Sequence, residues 1–131
     1  MTPESDRFLQ KAEKHLERGH TMLGVGLDED AGRAAYLAAF HAAQALIFER
    51  TGKVHKTHKG VQTEFLRLTK NAPDFPSDQR IFLSQAYNLK AIADYETGSG
   101  SEVSAEKATA AVEGARRFVG VIRQALIPPQ S

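Results

Sequence analysis

The stretch Arg50-Thr51-Gly52-Lys53-Val54-His55-Lys56-Thr57-His58-Lys59-Gly60 is the densest run of titratable side chains in the chain. It holds Arg50, Lys53, Lys56 and Lys59 together with His55 and His58, and from Arg50 to Gly60 there is no acidic residue. A positive field of this kind can hold a phosphate. Thr57, placed to cap a helix, would add backbone N–H groups at the same spot. The plainer reading is a solvated loop between two helices, and spacing alone favours it. Metal ligation fits less well. His55 and His58 have no carboxylate or thiol neighbour in sequence, and the lysines around them repel a cation. The reading therefore includes no metal and no cofactor.

A second constellation is Asn88-Leu89-Lys90-Ala91-Ile92-Ala93-Asp94-Tyr95. Lys90 and Asp94 stand four apart, on one helical face, where an ion pair contributes a few tenths of a kcal/mol. Of the other histidines, His41 lies inside an apolar helix and reads as a partly buried, hydrogen-bonded residue. His15 and His20 read as facing solvent or a helix junction. The sequence has no Walker loop, dinucleotide fingerprint, nucleophile elbow or HExxH motif.

The elements that must position these residues are helical. Phe8, Leu9, Ala12 and Leu16 recur at helical spacing in a segment from about Thr2 to Met22, with Pro3 suited to its first turn. Tyr36, Phe40, Ala43 and Ile47 step by 4, 3 and 4 in a segment from about Glu29 to Glu49. Alanines fill its other sides, so it reads as the central helix, touching several neighbours, with Gly52 ending it. A shorter helix after Thr57 carries Val61, Phe65 and Leu68 and stops at Asn71, Pro73 and Pro76. Ser77 reads as the cap of a fourth helix with Phe82, Ala86, Leu89 and Ala93 on one stripe. Ser104 reads as the cap of a last one, in which Ala108, Val112, Ala115, Val119, Ile122 and Leu126 share a stripe. Between these two helices, Thr97-Gly98-Ser99-Gly100-Ser101 reads as a flexible stretch, and Pro128 and Pro129 stop the chain's last helix. No segment alternates with period two. The expected fold is all-α: an antiparallel up-and-down bundle of four long helices plus one short helix.

Composition agrees with one domain over residues 1–131. Of the 131 residues, 41% are hydrophobic, enough for a core without staples, and the chain has no cysteine, which removes disulfides and thiolate chemistry. Its net charge of +1 argues neither for nor against nucleic acid in bulk, leaving only a local basic patch. No apolar run approaches the ~18 residues of a bilayer span, and the start of the chain does not read as a signal peptide, so the expected location is cytoplasmic. Phe75, Phe82 and Tyr87 do not share one face, and they are expected to leave an exposed apolar patch that marks a subunit interface.

Three stretches carry a resemblance. Ala35-Tyr36-Leu37-Ala38-Ala39-Phe40-His41-Ala42-Ala43-Gln44-Ala45-Leu46 resembles the second helix of HEPN domains, and Lys56-Thr57-His58-Lys59-Gly60-Val61 the start of the next helix. Ile92-Ala93-Asp94-Tyr95, then Val103-Ser104-Ala105-Glu106 and an Ala-rich helix, completes the pattern across about residues 5–125. The resemblance implies a homodimer and, as partner, a minimal nucleotidyltransferase in a toxin–antitoxin or stress-response system. It also implies metal-independent ribonuclease chemistry from an Arg, four to six residues, then a His, on or near the fourth helix. There a histidine helps move the 2′-hydroxyl proton and the arginine stabilises charge on the phosphorus.

This chain departs from that pattern. Lys90 stands near the arginine position, Asp94 near the histidine position, and Tyr95 follows. It thus resembles the branch with an Ala-Asp-Tyr ending. Lysine lacks the planar fork and an ionised aspartate is a poor general acid. A literal Arg-x4-His, Arg50 to His55, falls in the wrong element and reads as coincidence. The leading expectation is a HEPN-type module that binds a nucleotide or RNA phosphate at Arg50, Lys53, His55, Lys56, His58 and Lys59. The alternatives are an active ribonuclease toxin with an altered motif at Lys90, Asp94 and Tyr95, and a helical adaptor without enzymatic activity.

Overall fold

The computed structural model describes residues 1–95 and 103–127, with Tyr95 described by its backbone. Five helices follow in order: α1 (Pro3–Gly24), α2 (Asp28–Thr51), α3 (His58–Thr69), α4 (Ser77–Tyr95) and α5 (Ala105–Leu126). There is no strand among the described residues. The stretch Thr97–Ser101 and the pair Pro128 and Pro129 lie outside them.

Local chemistry accounts for the helix ends. Thr2, Thr57 and Ser104 each accept a hydrogen bond from the backbone N–H three residues on, and Pro3 stands in the first turn of α1. Gly52 closes α2 in the left-handed conformation, φ 72°, which only glycine adopts without strain. Ser77 differs from its expected role. It is the first residue of α4, and the carbonyl of Pro76 receives the N–H groups of Gln79 and Arg80. Pro76 thus holds the capping position, where it offers a backbone carbonyl and no side-chain acceptor, and Ser77 falls one residue inside the helix.

α2 is the centre, as its alanines predict: it packs against all four other helices. Tyr36, Phe40, Ala43 and Ile47 are buried with Ala35, Ala38, Ala39, Ala42 and Ala45. The small side chains let α1 and α5 approach closely, and Leu9, Leu16, Val112, Phe118 and Ile122 fill the space between. All six stripe residues of α5 are buried. In α4 the fully buried positions are Leu83 and Ala86, with Phe82 and Leu89 half-buried beside them.

The four long helices alternate in direction. Glu49 at the end of α2 accepts hydrogen bonds from Thr2 and Ser5 at the start of α1, and Asp94 at the end of α4 meets Arg33 near the start of α2. Arg50 at the end of α2 donates to the carbonyl of Ala125 at the end of α5, so α2 and α5 run the same way. The short helix α3 also runs parallel to α2. Residues 52–57 do not reverse the chain tightly; they extend back along α2 before α3 begins. Gln44 donates to the carbonyl of His55 at 2.8 Å, and Tyr36 meets His58 at 3.0 Å, so the loop climbs α2 from one end towards the other. α3 then lies antiparallel to α4, tied by Gln62 to Ser84 and by Arg80 to Thr69 and the carbonyl of Leu66.

The three aromatic residues expected to form an exposed patch do not form one. Phe75 is buried edge-on against Phe65, Phe82 packs on Phe118 over Gly114, and Tyr87 stacks on His58. Each faces a different neighbour within the chain, which is why they share no helical face.

Candidate functional site

The start of α2, the start of α3 and the end of α4 meet at one end of the bundle. There the returning loop delivers His58 into a group of aromatic and charged side chains. The His58 ring stacks on Tyr87, centroids 3.8 Å apart and planes 12° apart. Its Nδ1 lies 3.0 Å from the Tyr36 hydroxyl, which leaves Nε2 for any further partner. The ammonium of Lys90 sits 6.0 Å from the centre of the Tyr87 ring, at the outer reach of a cation–π contact.

One turn further along α4, Asp94 ties the helices together. It pairs with Lys90 on its own helix at 2.7 Å and with the Nε of Arg33 on α2. Arg33 also donates to the carbonyl of Ala93 at 3.0 Å and pairs with Asp30 and Glu29 on its own helix. The intrahelical Lys90–Asp94 pair expected from spacing therefore exists, but an arginine 61 positions away shares the carboxylate.

The electrostatics follow from these contacts. The Arg33 hydrogen bond first, then that of Lys90, holds the Asp94 carboxyl below the usual range, so it stays ionised and is a poor proton donor. Burial, then the charge of Lys90, lowers the His58 imidazole, leaving it neutral at pH 7 and able to accept a proton. Burial raises the Tyr36 hydroxyl, which keeps its proton. Two cations face three carboxylates here, Asp94, Asp30 and Glu29. Both cations are thus answered by carboxylates within the chain, and these groups together carry one net negative charge.

The other basic residues go elsewhere. Arg50 lies at the far end of α2, about 25 Å along the helix from Arg33 at 1.5 Å per residue. His55 is half-buried beside Gln44, with its carbonyl engaged. Lys53, Lys56 and Lys59 are exposed, and Lys53 lies near enough to Glu64 on α3 to lower that carboxyl, whose main partner is Arg67. Thr57 caps α3 by accepting from Gly60. So the structure leaves the three lysines at the surface, turns the His58 ring onto Tyr36 and Tyr87, and engages Arg50 with the carbonyl of Ala125. Tyr95 ends α4, one residue beyond Asp94.

Sequence reasoning missed Arg33, Tyr36 and Tyr87 as site residues. Tyr36 was legible as core, but nothing local indicated that its hydroxyl would meet a histidine 22 positions on. A weak signal existed for Arg33, the one arginine or lysine of the alanine-rich second helix before Arg50.

His41 is half-buried and hydrogen-bonded as expected. Gln44 gives its NH2 to the His55 carbonyl, so its Oε1 takes the Nδ1–H of His41 at 2.8 Å. The His41 ring stacks on His15 of α1, centroids 5.3 Å apart. Burial, then the charges of His41, Arg18, Lys11 and Lys14, lowers His15 to about 4. His20 is exposed. No cluster of three or more metal-ligating side chains occurs among the described residues. No described helix is long and apolar enough to cross a membrane.

An all-helical bundle with tyrosine, histidine, lysine and a shared carboxylate at the α2–α3–α4 junction defines the class of protein. The HEPN domain family matches residues 5–125, and the chain belongs to that family. A Methanocaldococcus jannaschii protein named "Putative toxin MJ0605" is 30% identical over 123 residues, 94% of this chain and 89% of the relative. A UPF0332 protein of Archaeoglobus fulgidus is also 30% identical over 123 residues, 94% of this chain and 95% of the relative. The crystal structure of TT1696 from Thermus thermophilus superposes with a TM-score of 0.77 at 20% identity, covering 95% of this chain and all of that one. That likeness establishes the shared fold.

Proposed function

We propose that this HEPN module serves a toxin–antitoxin or stress-response system by holding RNA or nucleotide phosphate, without itself cleaving RNA through the fourth-helix motif. The observation that carries this reading is Asp94. It occupies the position of the family's histidine, and Arg33 and Lys90 keep it a carboxylate. A pinned carboxylate can neither donate a proton to a leaving oxygen nor offer positive charge to a phosphorane. The exposed Lys53, Lys56 and Lys59 supply charge for phosphate beside the capped start of α3. The "Putative toxin" relative supports the toxin-related setting. A homodimer and a nucleotidyltransferase partner complete the proposal, both resting on the family. The chain works in the cytoplasm in this reading. The test is incubation of purified protein with RNA in chelator, with binding and cleavage measured together. The expected result is binding that weakens in Lys56→Ala/Lys59→Ala, and intact RNA. Cleavage lost on changing Lys90 or Asp94 overturns it.

A second reading has its own observation. His58, neutral and near enough to Lys90 to feel its charge, brings a histidine from α3 onto α4 at Tyr87, seven residues before Asp94. In that reading His58 Nε2 accepts the 2′-hydroxyl proton and Lys90 or Arg33 stabilises the phosphate. Metal-independent cleavage abolished by His58→Gln, with folding retained, would favour it.

A further inference from the structure

The first helix carries a feature that the family motif does not use. Arg7, Lys11, Lys14 and Arg18 step by 4, 3 and 4, which puts four cations on one face of α1 over about 16 Å. All four side chains are exposed. Arg7 has an exposed partner in Glu4 at 3.5 Å, whereas Lys11, Lys14 and Arg18 form no ion pair among the described residues. Of the acidic residues of the helix, Glu4 lies on this face beside Arg7, whereas Asp6, Glu13 and Glu17 lie on another side, where Glu13 pairs with Arg123 of α5. The segregation is not needed for folding, since the core face of α1 is made by Ser5, Leu9, Ala12, Leu16 and Gly19.

Flat or apolar surface interleaves with these cations. Between Arg7 and Lys11 a recess of about 230 Å³ is floored by Phe8 and by Val54 of the returning loop, with Glu4 at its edge. Beyond Lys14 come the stacked imidazoles of His15 and His41, half-buried. A second recess, about 200 Å³, lies between Arg18 and Arg33, lined by His15, Met22 and Leu37, with Asp30 on its rim already paired to Arg33. Cations alternating with stacking surface along one helix face match the chemistry of a single nucleic-acid strand, in which phosphates alternate with flat bases. An acidic peptide would match the cations and leave the recesses unexplained.

We propose that the α1 face is a binding track for single-stranded RNA, its phosphates on Arg7, Lys11, Lys14 and Arg18 and its bases in the two recesses and against His15. This rests on the reading that the module binds RNA, and it assigns where the strand lies. The track leads to Arg33, and so to the α2–α3–α4 junction.

The test is fluorescence anisotropy with a labelled 12-nucleotide single-stranded RNA at several salt concentrations. Wild type is expected to bind with a log–log salt slope near −3, about 0.7 per neutralised phosphate. Lys11→Glu/Lys14→Glu should lower affinity at least tenfold and reduce the slope, with an unchanged circular dichroism spectrum. His15→Ala should lower affinity for RNA several-fold and leave inorganic polyphosphate unaffected. If Lys56→Glu/Lys59→Glu abolishes binding and the α1 variant does not, the track is overturned while the RNA-binding reading stands. If wild type ignores RNA yet binds ATP at Lys56 and Lys59, the track falls and a nucleotide-binding module remains. Equal affinity for polyphosphate or polyglutamate and for RNA overturns the assignment of bases to the recesses.

Discussion

Two groups of cations lie within reach of one another in this molecule, and their surroundings differ. At the α2–α3–α4 junction, Arg33 and Lys90 share Asp94, and Arg33 has Asp30 and Glu29 besides. On the α1 face, Lys11, Lys14 and Arg18 form no ion pair among the described residues and project into water. Charges of the first kind hold helices together and have little field left for a ligand. Charges of the second kind contribute little to folding and keep their field. A basic residue's meaning in this fold is therefore set by the carboxylates that its helix and neighbours provide. The comparison is broken if the junction proves dispensable for stability, or the α1 face proves necessary for it.

The largest effect should come from the shared carboxylate. Asp94→Ala leaves Arg33 and Lys90 facing each other, with side chains only 33% and 27% exposed. The expected loss is about 2 kcal/mol, below the cost of breaking a fully buried pair because water reaches this one. Thermal unfolding followed by circular dichroism measures it. A change under about 0.5 kcal/mol would mean that the junction is held by its aromatic contacts alone.

Acid should act next, through histidines. In the folded chain His15 titrates at about 4, and His41 and His58 lie below their ordinary value of 6.5. Above pH 6.5 neither state binds these protons, and stability is fully present. As pH falls through 6.5 the unfolded chain takes up protons that the folded chain refuses, so stability is lost down to about 4. The expected loss between pH 7 and 5 is roughly 1–2 kcal/mol, discounted for partial exposure. The lowered carboxyls Asp94, Glu49 and Glu64 act only below their own ordinary values of 3.8 and 4.5, so this window belongs to the histidines. Urea midpoints across pH 5–7 check it, and His15→Leu should flatten the slope.

These numbers depend on features of unequal legibility. The stripe of α5 and the alanine-rich faces of α2 were readable because periodicity reports which side of a helix is buried, and every stripe residue of α5 is. The path of residues 52–57 was not. A six-residue loop between helices can turn at once or walk back along its neighbour, and composition does not distinguish the two. That choice decides whether His58 belongs with Lys56 and Lys59 or with Tyr36 and Tyr87. Similarly, the pair Lys90 and Asp94 was readable at four-residue spacing, but Arg33 joins it from another helix. Spacing reports neighbours on one helix, and the partners that arrive from another helix, Tyr36 for His58 and Arg33 for Asp94, leave no mark in it.

Tyr36→Phe sharpens the junction side further. It removes the hydroxyl from His58 and leaves the ring packing against Phe40 and Tyr87 in place. The expected cost is about 1 kcal/mol, the ordinary worth of one hydrogen bond. The more telling readout is nitrogen-15 NMR of the His58 ring. The tautomer balance should shift in the variant, while that of His41, fixed by Gln44, stays as it was. An unchanged His58 ring would mean that stacking on Tyr87 alone orients it.

The smallest effect is the one that completes the contrast. Lys14→Glu on the α1 face should change stability by no more than about 0.5 kcal/mol, because the side chain is exposed and unpaired. Its sign is predictable. Lys14 lies between Lys11 and Arg18 on one helical face, so the wild-type helix sets like charges side by side. A glutamate there would sit four residues before Arg18, the favourable order for an intrahelical pair, and the melting temperature should rise slightly at low salt. If RNA affinity falls in the same variant, the position gains stability as it loses binding. A like-charged stripe that costs the helix a little and serves no packing role is what a surface retained for a polyanion should look like. A melting temperature that drops by several degrees would place Lys14 among the structural charges and remove the distinction between the two regions.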